Sequence, residues 1–245
     1  MSPRFAGLIL ALTVVVATLW LGATGQLVLY IHPRYVVFTM IMAALALVIG
    51  VASFAIKPGH DDDAPATRTG RVISVSALAL TAVIAAALIV VPPATLTSAT
   101  VDTREINSTG VGVEVQSVDS ASSESDAAFA KFTVRDWASL LAQTSDTEFY
   151  SGKPVDVAGF ITADETDPTN VFYVSRFVIT CCAVDAQPVG VPVYSPNWAE
   201  SYEVDGWVRV TGSFVANPSS ASEQPIALDP ATVELIGTPD EPYLF

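Results

Sequence analysis

The only two cysteines of the chain are neighbours, Cys181 and Cys182, in the stretch "RFVITCCAVDA" from Arg176 to Ala186. Thiolates are soft ligands, suited to zinc and related metals, and Asp185 offers a carboxylate three residues after the pair. Three chemistries are open. The thiols can bind a soft metal, with Asp185 or a partner protein completing the coordination; they can cycle through a redox state, as in a thiol redox or envelope-stress sensor; or they can pack as small apolar side chains, as in a purely structural interaction module. Spacing restricts each of these. In a regular strand Phe177, Ile179 and Cys181 share one face while Arg176, Val178, Thr180 and Cys182 share the other, so one metal reaches both thiols only where the chain bulges or turns. The residues that follow lead toward turn chemistry at Gln187 to Gly190. A disulfide between neighbours is strained, because trans-linked Cα atoms lie about 3.8 Å apart whereas ordinary disulfides span about 4.4 to 6.8 Å.

Other chemistries are excluded by what is absent. Both histidines, His32 and His60, precede residue 92. The remainder therefore lacks a Ser-His-Asp or Cys-His nucleophile and a Cys₂His₂ zinc site. There is no Cys-x-x-Cys pair and no glycine-rich phosphate loop. Asp164, Glu165 and Asp167 lack the spacing and closing Glu of a calcium loop and read as a solvated acidic turn. No set of residues reads as catalytic, and a non-enzymatic protein is expected.

The elements that must hold the cysteine pair follow from a segregated composition. The chain is 51% hydrophobic yet carries a formal net charge of −14, with a mean hydropathy of +0.49. Residues 1–91 hold five basic and three acidic side chains, whereas the rest holds six basic and 22 acidic. An apolar part thus precedes an acidic, water-exposed part. Three uncharged stretches, Phe5 to about Thr24, Tyr35–Ile56 and Val72–Val91, approach the roughly 20 residues that a helix needs to cross a bilayer. The rival for the first is a cleavable signal peptide, but its basic flank is Arg4 alone and a second apolar stretch follows at once.

Basic residues stay on the cytoplasmic side of short loops. Arg4, Lys57, Arg68 and Arg71 fall on one side and Arg34 on the other. This predicts a multi-pass membrane protein with a cytoplasmic N-terminus and residues 92–245 outside the cytoplasm. The run Asp61 to Asp63 reads as a solvated loop. An extracytoplasmic, acidic domain without a basic stripe argues against nucleic acid as a partner.

Domains are expected at 1–91, in the membrane, at 92–128, a flexible acidic Ser-rich linker, and at 129–245, a mainly-β soluble domain. Thr133 and Asp136 form a variant capping box ahead of a short amphipathic helix whose stripe is Val134, Trp137, Leu140 and Leu141. Strand patterns follow in "PVDVAGFIT", "VFYVSRFVITCC", "PVGVPVYS", "DGWVRVTGSFVAN" and "ATVELIG", with one or two helical turns at "PNWAESY" between the third and fourth. Five strands in this order predict a five-stranded OB-like barrel preceded by the amphipathic helix. The ending "TPDEPYLF" is expected to fold back over it.

The segments "GFI", "RFVITCCAVDAQPVG", "WVRVTGSF" and "PDEPYLF", with "YIHPRY" between the first two apolar stretches, resemble the YcgQ-like family of bacterial permease subunits. The resemblance covers nearly the whole chain apart from the linker. It implies an accessory subunit that works with a multi-spanning permease, and the family's gene context implies handling of a metal such as zinc. The family motif marks His32, Pro33 and Arg34 at the membrane hairpin and Arg176, Cys181, Cys182 and Asp185 in the soluble domain. In its own right, Pro33 suits the first turn of a helix, leaving His32 and Arg34 at the interface, either as anchors or as contacts for the permease.

Overall fold

The computed structural model describes residues 3–55, 72, 76, 79–84, 87, 95–101, 103, 104, 106–108 and 117–245. They belong to two compact units, Met1–Ala94 and Thr95–Phe245.

The first unit contains helices α1 (Pro3–Ala23) and α2 (Pro33–Ala55), joined through a 3₁₀ turn at Gln26–Leu29. Pro33–Ser53 is long and apolar enough to cross a membrane by length and composition, and Gly7–Ala23 is apolar but shorter. Val37, Phe38, Ile41, Leu45 and Val48 of α2 are exposed, so this helix is apolar on more than its packed face. Two glycines let α1 and α2 approach. A β-carbon at Gly22 would meet Met40 Sδ at 2.0 Å, and one at Gly50 would meet Leu12 Cδ2 at 2.6 Å. Of the third apolar stretch, positions 72, 76, 79–84 and 87 are helical. The rest of it lies outside the described residues, as does the loop carrying Lys57, His60, Asp61 to Asp63, Arg68 and Arg71.

The second unit is built on a six-stranded sheet: β1 (Val155–Ala163), β2 (Val171–Val178), β3 (Gln187–Tyr194), β4 (Trp207–Ala216), β5 (Ile226–Leu235) and β6 (Tyr243–Leu244). β1 pairs antiparallel with both β4 and β2, β2 with β3, and β4 with β5, while β3 meets β5 in parallel through Val193 and Leu228. Followed strand by strand, the pairings return to β1. The second run of the sequence was expected to continue as strand through "ITCC", but β2 ends at Val178. Tyr243 and Leu244, near the end of the chain, form the added strand β6, parallel to Phe177 and Val178 of β2, which is how the tail folds back.

The closed circuit requires β1 to serve two partners. Val155 to Phe160 pair with β4, and Phe160 to Ala163 pair with β2. Gly159 stands at the changeover, where a β-carbon would lie 2.4 Å from the Ser175 carbonyl oxygen. Gly212, beside the register shift in β4, is equally constrained, with the Asp229 carbonyl 2.2 Å from a built β-carbon. Such positions mark bends at which backbones approach closely.

Helix α3 (Val134–Gln143) covers part of this core and has the expected capping box: Thr133 Oγ1 accepts from the Asp136 N–H, and Asp136 Oδ2 accepts from the Thr133 N–H. Its stripe is buried at Val134, Trp137 and Leu140, with Leu141 partly buried. Trp137 packs among Phe129, Phe132 and Phe214, so it is a core anchor. The expected turns after β3 are a 3₁₀ helix at Trp198–Glu200.

The acidic turn between β1 and β2 differs from its reading as a solvated loop. Asp164 and Asp167 are 3% and 7% exposed. Asp164 Oδ1 accepts from the Thr166 N–H, the Thr166 hydroxyl and the Asp167 N–H, and its Oδ2 accepts from Ser222. Asp167 accepts from Asn170 and Ser219. The two carboxylates thus tie the β1–β2 turn to the β4–β5 loop. Burial alone would raise the Asp164 carboxyl, but the hydrogen bonds from Thr166, Asp167 and Ser222 outweigh it and hold it below the usual carboxylate range. Composition cannot distinguish a buried, fully accepted carboxylate from a solvated one, because the local donors are joined by Ser219 and Ser222 from a loop more than 50 residues away.

Two outcomes are expected. Gly159→Val should destabilise the full chain in detergent by about 1 to 3 kcal/mol, read by urea unfolding, because the clash is with backbone. Asp164→Asn should cost about 1 to 2 kcal/mol at neutral pH through lost hydrogen bonds and should weaken the acid dependence of stability. With a folded pKa below an unfolded value of about 3.9, the Asp164 contribution is present at neutral pH and is lost as pH falls through the folded value. A variant with the same acid profile as the parent protein would contradict this.

Candidate functional site

β2 and β3 form an antiparallel hairpin that pairs as far as Val178 with Gln187, leaving residues 179–186 as the connection that carries the cysteines. Ile179 remains buried, its N–H donating to the Leu244 carbonyl of β6 at 2.9 Å. The chain then turns out of the strand, and Ala183–Asp185 form one 3₁₀ turn.

The Asp185 carboxylate organises the turn. Its Oδ2 accepts from the Cys181 N–H at 2.7 Å and the Cys182 N–H at 3.4 Å, and its Oδ1 accepts from the Thr180 N–H at 3.2 Å. In return the Asp185 N–H points back at Cys182, to the carbonyl oxygen at 2.9 Å and to the side chain as a capping box. Three consecutive backbone donors converging on one carboxylate break the alternation of a strand. The sulfurs, which a strand would send to opposite faces, are thereby gathered.

The two sulfurs and an Asp185 oxygen lie within 4.8 Å of one another, with Cys181 exposed and Cys182 and Asp185 half-buried. Neither cysteine is in a disulfide. Two thiols and a carboxylate form a three-donor set for a borderline or soft cation, and zinc completes such sets with a fourth, exchangeable ligand. Asp185 Oδ1 accepts one backbone N–H and retains acceptor capacity toward a cation. These three residues could hold such an ion, with Cys181 on the solvent-exposed side of the cluster.

Arg176 is not part of this cluster. It lies within β2, where Nη2 donates to the Glu241 carbonyl at 2.6 Å and Nη1 to the Ala158 carbonyl at 3.3 Å, with the guanidinium over the Trp207 ring. Burial lowers its pKa, and Glu241 opposes the shift. In this position Arg176 clamps the C-terminal tail onto β1 and β2. His32, Pro33 and Arg34 belong to the other unit. Pro33 is the first residue of α2, the His32 Nδ1 accepts from the Arg34 N–H at 3.1 Å, and the Arg34 guanidinium lies over the Tyr35 ring.

Residues missed by the sequence reading lie in the stretch taken as a linker. The second unit begins at Thr95, and the described part of 95–108 is hydrogen-bonded to the β-domain. The Leu96 N–H donates to Tyr243 Oη, and Ser98 donates to the Asp205 carboxylate. Arg104 Nη2 donates to the Val184 carbonyl at 2.8 Å and Nη1 donates to the Ala186 carbonyl, so its fork brackets Asp185. The Asn107 N–H donates to the Pro188 carbonyl at 3.1 Å, while its side-chain amide exchanges two hydrogen bonds with the backbone of Gly190, both at 2.9 Å. Asn107 thus pairs with β3 as a strand would, from a left-handed conformation with φ of 58°. A polar stretch with few apolar residues gives no periodicity from which such docking can be read; the interactions run from a few side chains to backbone.

Asp185→Ala should leave the β-domain folded while the amide protons of Thr180, Cys181 and Cys182 exchange faster, by the loss of about 1.5 to 3 kcal/mol of charge-assisted hydrogen bonding. Unchanged exchange at these three amides, measured by hydrogen–deuterium exchange with fragmentation, would mean that Asp185 does not hold the turn.

Among known proteins, no curated protein and no solved structure matches the chain. Two family domains do, end to end along most of its length. Residues 5–107 match the DUF1980 N-terminal domain, and residues 117–245 match the DUF1980 C-terminal domain, which includes the cysteine turn. These matches agree at the level of family with the YcgQ-like resemblance. With both domains present in order, the chain belongs to the DUF1980 family.

Proposed function

We propose that this protein is a non-enzymatic accessory subunit of a multi-spanning membrane permease, whose extracytoplasmic domain binds or presents a solute, a soft metal ion such as zinc, at Cys181, Cys182 and Asp185. The observation that carries the reading is the convergence of those three ligand atoms within 4.8 Å. The turn itself satisfies backbone N–H groups through Asp185, but Cys181 is exposed where a packing role would bury it.

The membrane part of the reading is three spans with the N-terminus in the cytoplasm. It is supported by one helix of sufficient length and apolarity, Pro33–Ser53, by the apolar helix before it, and by the distribution of basic residues. His32 and Arg34 would stand at the outer interface, as anchors or as contacts for the permease. For the soluble part, the closed circuit of pairings β1-β2-β3-β5-β4-β1 and the helical turn between β3 and β4 support a five-stranded OB-like barrel. In such barrels the β1–β2 and β4–β5 loops commonly bind oligonucleotides or sugars. Here those loops are tied together by Asp164 and Asp167, which favours the opposite end of β2 as the binding end and speaks against nucleic acid.

One observation also favours a thiol redox reading, that of an envelope-stress sensor: the cysteines are unbridged and one is exposed. The two are separated by metal content and thiol titration on the full chain in detergent, compared with the Cys181→Ala, Cys182→Ala double variant. Stoichiometric zinc or cadmium in the parent protein and none in the variant is the expected result. No metal after challenge with either ion would overturn the metal reading, and thiols that then oxidise and re-reduce reversibly would establish the redox one. Co-purification of a permease after mild solubilisation checks the assembly.

A further inference from the structure

The turn that gathers the thiols is held from two sides. From within, Asp185 accepts the N–H groups of Thr180, Cys181 and Cys182. From outside, Arg104 grips the carbonyls of Val184 and Ala186, the residues on either side of Asp185. Arg104 and Asn107 belong to one short piece of chain, and Asn107 is fastened to Pro188 and Gly190 at the start of β3, just beyond the same turn. This piece also leads back along the chain to Ala94, the last residue of the membrane-helix unit.

We propose that Arg104 and Asn107 form a strap whose docking is thermodynamically linked, through Arg104, to occupation of the Cys181, Cys182 and Asp185 cluster by a soft divalent cation. The inference rests on the metal reading of that cluster and adds its regulation. The physical argument is one of preorganisation. Val184, at the tip of the turn, is 80% exposed, whereas Ile179 and Ala186 at its two ends are buried. The exposed tip of the turn must be ordered when its ligands close on an ion, and that ordering costs binding energy. With the strap docked, the two carbonyls flanking Asp185 are already fixed, so the cost falls. The coupling is reciprocal: an ion that orders the turn fixes the two carbonyls that Arg104 binds and tightens the strap. Arg104 is suited to this role because its planar fork spans two acceptors at once, which a lysine ammonium does not reproduce. Arg104 is a positioning residue here, acting through the turn and not on the ion.

The test uses the full chain in detergent micelles and Cd²⁺ as the probe, with the thiolate-to-cadmium charge-transfer absorbance reporting affinity. The parent protein, Arg104→Ala, Arg104→Lys and Asn107→Ala are compared, their fold checked by near-ultraviolet circular dichroism. Arg104→Ala is expected to bind about tenfold more weakly, within the usual range of coupling between sites, and Arg104→Lys to recover only part of the loss. In the parent protein, Cd²⁺ should slow hydrogen exchange at the Asn107 amide, a readout that needs no variant and that a merely structural strap would not show. Equal cadmium affinities, or weakened affinity with no effect of Cd²⁺ on Asn107 exchange, would overturn the linkage and leave the metal reading standing. A parent protein that does not bind Cd²⁺ would overturn both.

Discussion

The β-domain depends on the absence of a side chain at Gly159. β1 leaves β4 and joins β2 within its own length, and at the changeover its backbone comes so close to β2 that a β-carbon would stand 2.4 Å from the Ser175 oxygen. At this bend β1 passes from one partner to the other within the circuit of pairings. Closure in turn fixes which part of β2 is left over: β1 takes Phe172 to Ser175, and the free edge at Phe177 and Val178 is taken by β6. The C-terminal tail is therefore part of the same arrangement, with Arg176 clamping it from the side.

Carboxylates do the fine positioning at both ends of β2. At its start, Asp164 and Asp167 are buried and saturated by donors from their own turn and from the β4–β5 loop. At its end, Asp185 collects three consecutive N–H groups but stays half-buried with acceptor capacity left. One residue type thus gives a closed knot in one place and an open cluster in the other. The difference lies in how many donors surround each carboxylate. Eight strand residues, roughly 26 Å, separate the two ends, so neither set of charges acts strongly on the other.

The segment before the β-domain shows how a stretch that composition marks as a spacer becomes structural. Its few interactions are directional: a guanidinium fork on two carbonyls and an amide that completes a strand edge. Each satisfies backbone groups of the cysteine turn or of β3 that the sheet does not pair. Asn107 adopts a left-handed backbone to do so, a conformation that asparagine tolerates better than most residues.

Periodicity made much of the fold legible: the apolar helices, the capping box at Thr133 and Asp136, the stripe of α3 and five strands in order are all local patterns, set by residues within a few positions of one another. The choice of Cys181, Cys182 and Asp185 as a candidate site was legible too, because thiols are rare in this chain and a carboxylate follows them closely. Whether the thiols converge was not, since strand alternation and a turn predict opposite answers and the winner is set by Asp185 together with the end of pairing at Val178. The burial of Asp164 and Asp167, the strand at Tyr243–Leu244 and the docking of Arg104 and Asn107 were likewise decided only in three dimensions. Each depends on partners tens of residues away, and a hydrogen bond between a side chain and a distant backbone leaves no periodic trace in the sequence.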